Sequence, residues 1–64
     1  MAEDLIADLD HRIAGVEANI QTLKQEIAVL DALNPTVIRL SGIIAMGERS
    51  LEKLRAQRER LRQL

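Results

Sequence analysis

Between Ile6 and Leu30, apolar side chains recur at Ile6, Leu9, Ile13, Val16, Ile20, Leu23, Ile27 and Leu30, with gaps of three and four in strict alternation. On an α-helix such positions share one narrow stripe, and a stripe with a mean period of 3.5 is the seam of a coiled coil. Isoleucine holds every a position, with Leu, Val, Leu and Leu at d. A seam of this kind is stable only when buried against another helix. The fold therefore depends on where that helix comes from.

The chain itself supplies one. The alternation next requires an apolar residue at position 34 and meets Asn34, followed by Pro35. Proline disfavours helical geometry in the residue before it and has no amide to donate. The same pair starts a new helix well, with Asn34 as N-cap and Pro35 at the first helical position. A second seam then runs through Val37, Leu40, Ile44, Gly47, Leu51, Leu54, Arg58 and Leu61. The spacing predicts helix 1 over about 4–33, starting at Asp4, a turn at 33–35, and helix 2 over about 35–63. One long helix kinked at the proline is the alternative.

Folded back antiparallel, the two seams match Leu30 with Val37, Ile27 with Leu40, Leu23 with Ile44, Ile20 with Gly47, Val16 with Leu51 and Ile13 with Leu54. Large Ile20 then meets small Gly47, which suits close packing. Along the flank of e positions, Asp10 comes near Arg62, Glu17 near Arg55 and Lys24 near Glu48, all of opposite sign. Exposed pairs are each worth only ~0.2–1 kcal/mol, but their agreement in register identifies the orientation. The acidic start (Glu3, Asp4, Asp8, Asp10) lies beside the basic end (Arg49 to Arg62), which accounts for the uneven charge without a ligand. The expected fold is all-α: an antiparallel two-helix, coiled-coil-like hairpin forming one unit over 1–64.

A hairpin this small buries a poor fraction of its surface. With no cysteine and one histidine, neither a disulfide framework nor a zinc site is available to reinforce it. The absence of Phe, Tyr and Trp removes the usual anchors of a compact core. A partner chain is the remaining reinforcement. Near the turn the apolar face widens beyond a seam, through Ala28, Val29, Ala32, Leu33, Val37, Ile38, Ile43, Ala45 and Met46. Self-association into a four-helix bundle is the expected product, with Val29, Leu33, Val37, Ile38, Ile43, Met46 and Gly47 as the oligomer or partner interface. A parallel dimer through helix 1 is the competing assembly; it places Arg12 by Glu17, which attracts, and Glu26 by Asp31, which repels.

Reactive constellations are scarce. His11 falls at an outward f position, and a general base needs a pocket and an oriented partner. Ser41 and Ser50 have no histidine or lysine at an activating spacing. Gly15, Gly42 and Gly47 are isolated within helices, so no phosphate-cradling loop is present. Asp4 and Asp8 share a helical face, but acids collect at helix N-termini without any metal. No enzyme, cofactor or metal is expected.

The basic run ends with Arg55, Arg58 and Arg62 on one side of helix 2, and arginine forks suit phosphates and carboxylates. Glu52 and Glu59 interleave with them, so a solvated face is the simpler reading. Nucleic acid is disfavoured by a net charge of −1 and the absence of aromatics for stacking. The segment from Ser41 to Gly47 presents small residues and Met46, suited to close packing or to a partner helix. No stretch is apolar enough to span a bilayer, and the acidic start is unlike a secretory signal, so a cytoplasmic location is expected.

These features point to a non-enzymatic helical interaction module. Its partners are copies of itself and another protein, and it acts as a small regulator, adaptor or inhibitor. The alternative is an oligomeric binding protein that sequesters an anionic ligand, such as a nucleotide, at the clustered arginines.

Overall fold

In the computed structural model, which describes residues 2–63, two helices lie side by side: α1 (Ala2–Ala28) and α2 (Pro35–Arg62). The molecule measures 48 × 14 × 11 Å. That is the length of one 28-residue helix, about 42 Å at 1.5 Å per residue, plus a turn. The chain therefore reverses, and the kinked rod is excluded.

Burial follows the seam closely. Among residues 3–63, every position that is not exposed belongs to one of the two seams, apart from Asn34. Ile13, Ile20, Ile44 and Leu51 form the buried centre, with Val16, Leu23, Ile27 and Leu54 packed against it. Leu9 is buried towards the chain ends. The expected layer of Ile20 with Gly47 is present: a Cβ at position 47 would lie 3.0 Å from Ile20 Cγ1 and 3.1 Å from its Cδ1. Glycine suits this position because any side chain would press on the opposing isoleucine and force it to shift.

Asn34 caps α2 as the sequence predicts. Its backbone is extended and its Oδ1 accepts a 2.9 Å bond from the Thr36 amide, with Pro35 at the start of the helix. The end of α1 differs from expectation. It stops at Ala28, five residues short of the predicted end at 33, and the connection takes up 29–34. The last turn tightens, with the Leu30 amide donating to the Ile27 carbonyl at 3.0 Å rather than one residue further back. Pro35 commits everything after Asn34 to α2, so the residues needed for the reversal come from α1. Its start also lies earlier than predicted: Glu3 and Asp4 occupy the first turn instead of preceding it. Both acids suit the positive end of the helix dipole.

Two of the three expected ion pairs form, Lys24 with Glu48 at 3.7 Å and Arg55 with Glu17 at 3.6 Å. The third changes partner. Asp10 accepts a 2.8 Å bond from Arg58 Nη1 in place of Arg62. Arg58 occupies a seam position too close to the open end to be enclosed. Its aliphatic stem covers the seam while its guanidinium reaches out to the flank, where Asp10 stands.

Candidate interaction surface

The seam separates two unlike flanks. On the e side, Glu17, Lys24, Glu48, Glu52 and Arg55 rim a groove of about 660 Å³ over Ile20 and Leu51, spanned by the Lys24–Glu48 and Arg55–Glu17 pairs, with Asp10–Arg58 beyond its end. On the g side, ion pairs between the helices are absent among the described residues. A groove of about 450 Å³ opens there at the end away from the turn, lined by Leu5, Asp8, Leu9, Arg12, Gln57, Arg60 and Leu61. Its floor is leucine and its rim carries two arginines against one aspartate.

The apolar residues outside the core gather towards the turn. Leu33 is 89% exposed, Val29 83%, Ile38 75% and Met46 67%, with Ile43 about half exposed. Each belongs to the interface expected from the sequence. The other two members of that set differ: Val37 and Gly47 are partly buried at seam positions, where they serve the contact between α1 and α2. Leu5, more than half exposed at the opposite end, was not singled out by sequence reasoning. The signal was present, since Leu5 lies at a g position one residue before the first seam isoleucine.

The arginines considered for an anionic ligand are not free as a group. Arg55 pairs with Glu17 and Arg58 with Asp10, while Arg62 is exposed at the end of α2. Their side of the helix serves to hold α1 against α2. His11, Ser41 and Ser50 are exposed on the helical surface. Asp4 and Asp8 are exposed near the start of α1, and among the described residues no three His, Cys, Asp or Glu side chains converge. Neither helix is long and apolar enough to cross a membrane.

No family model, curated protein or solved structure matches this chain. The geometry of the hairpin alone bears on its function, and what it offers is surface: one flank whose charges pair between the helices, and one whose charges do not.

Proposed function

We propose that this chain is a non-enzymatic helical interaction module that self-associates into a four-helix bundle and acts by binding another protein through helix packing. The observation that carries the reading is the exposure of Val29, Leu33, Ile38, Ile43 and Met46 around one end of a hairpin whose core is a single row of side chains. Among the described residues no large side chain is fully enclosed, so the hairpin gains from any surface that completes its burial. Met46 and the branched residues beside it suit a helical partner, which inserts anchors at i, i+3 and i+4 spacing. A regulator, adaptor or inhibitor working in the cytoplasm is the role such a module fills.

The test is replacement of Ile38, Ile43 and Met46 together by glutamine. All three side chains point away from the intramolecular seam, so circular dichroism should still report a helical hairpin. Light scattering over a range of concentrations should show assembly lost in the variant and present in the parent. Equal assembly in both would remove the reading. The rival role, capture of a nucleotide or similar anion by Arg55, Arg58 and Arg62, is less favoured because Glu17 and Asp10 already engage two of the three. A ligand-dependent rise in melting temperature that Arg58→Ala abolishes would revive it.

A further inference from the structure

The open g flank of α1 is self-complementary. Its g positions read Leu5, Arg12, Asn19 and Glu26, with Arg12 and Glu26 each seven residues from Asn19. Both charged residues are exposed, and neither forms an ion pair within the hairpin among the described residues. If a second α1 is laid antiparallel on this flank with a two-fold axis at Asn19, Arg12 of each copy falls beside Glu26 of the other. One favourable contact is thus repeated by symmetry. On α1 the middle of the face is small, with Gly15, Asn19 and Thr22, while on α2 Ser50 lies between Met46 and Lys53. A Cβ at Gly15 would meet nothing within 4 Å, so no contact within the hairpin explains the glycine. Thr22 turns its hydroxyl onto the Ala18 carbonyl at 3.0 Å, which satisfies its one strong polar group locally.

The ends fit as well. Leu5 lies 14 residues from Asn19, about 21 Å along the helix, whereas Ala28 lies about 14 Å the other way. The open end of one copy therefore projects past the last turn of the other copy's α1, onto its connection. That connection exposes Val29 and Leu33, and from Glu26 to Ile38 the chain carries Glu26 and Asp31 with no base. The surface it reaches is the leucine-floored groove, rimmed by Arg12 and Arg60 against Asp8 alone. Apolar meets apolar there and acid meets base. Ile43, at a g position of α2, comes level with Lys53, whose aliphatic stem it can cover. Arg39 comes level with Gln57, one helical turn from Arg60 on the groove rim, and this like-charge approach works against the match, weakened by solvent at two exposed side chains.

From this match we infer that the occupant of the open flank is a second copy of the chain, stacked antiparallel through α1, with the turn of each hairpin seated over the open-end groove of the other. The inference rests on the self-association proposed above and specifies its face and direction. The ion-paired e flank, and with it Ile38, stays on the outside of the bundle.

Sedimentation equilibrium on the full chain and its variants tests the arrangement. Arg12→Glu and Glu26→Arg should each weaken the dimer by roughly tenfold or more, because each places like charges together twice. The double variant R12E/E26R should return to within about threefold of the parent, since the same pairs re-form with signs exchanged. Ile43→Gln should weaken association and Ile38→Gln should not. Because the chain has no native cysteine, Asn19→Cys should oxidise to a linked dimer well ahead of His11→Cys, which faces outward. A dimer that is insensitive to Arg12→Glu, unrescued by the double variant, or unlinked through position 19 overturns this face while leaving self-association intact. A parent chain that stays monomeric at every accessible concentration overturns both.

Discussion

Gly47 and Gly42 sit five residues apart on one helix and answer to different constraints. A methyl at 47 would press on buried Ile20, whereas one at 42 would meet nothing within 4 Å. Alanine favours a helix over glycine by ~1 kcal/mol. Gly42→Ala should therefore raise the melting temperature. Gly47→Ala should lower it, because Ile20 is β-branched and held between both helices and gives way at an overpacking cost of ~1–3 kcal/mol. Thermal denaturation of the two variants checks the contrast in sign. Asn34→Ala removes the oxygen that holds the Thr36 amide and should cost about 1 kcal/mol in the same assay. Asp10 and Arg58 are half and about three-quarters shielded in their side chains, with a 2.8 Å bond between them. A double-mutant cycle to alanine should return a coupling of ~0.5–1 kcal/mol that shrinks in high salt. The position of Arg58 was legible in the sequence as a charged residue within the second seam. Its partner was not, because pairing by heptad letter ignores the reach of a long side chain leaving a seam it cannot stay buried in.

The two helices were legible because a single periodicity decides which residues are buried and where the chain must break. Within residues 3–62, strict alternation of three and four placed every partly or fully buried side chain of α1 and α2, and the Asn34-Pro35 pair placed the start of α2. The end of α1 was hidden. Residues 29–33 contain no glycine or proline to stop a helix, and the stop at Ala28 is imposed by the geometry of turning back towards Pro35. Amide hydrogen exchange should reflect this division. Protection should be greatest around Ile13 to Ile20 and Ile44 to Leu51, where the core is closed, and least across 29–34. Replacing Asn34 by Leu and Pro35 by Ala restores the seam and removes the break together. Small-angle scattering should then show the longest dimension moving from about 48 Å towards the ~90 Å of a continuous helix. An unchanged profile would mean that the apolar seams hold the reversal without help from the turn residues.

At the scale of the whole molecule, the candidate surface was legible in outline only. The sequence marked the widened apolar face near the turn and assigned Val37 and Gly47 both to it and to the seam, where they are partly buried, and Leu5 with its groove emerged only once both helices were in place. Burial on a two-helix rod is one-dimensional, so a residue one step off the seam can cover the core or face outward depending on its neighbours. The hairpin pairs the charges of its e flank internally and leaves Arg12 and Glu26 of the g flank without partners among the described residues, and that asymmetry is why the account places a second copy there. The most direct test is the mass of the chain in solution, measured by light scattering from micromolar to millimolar concentration. The account predicts a rise to about 14 kDa, twice the 7.2 kDa of one chain. A mass that stays at 7.2 kDa across that range while the chain remains helical would contradict it.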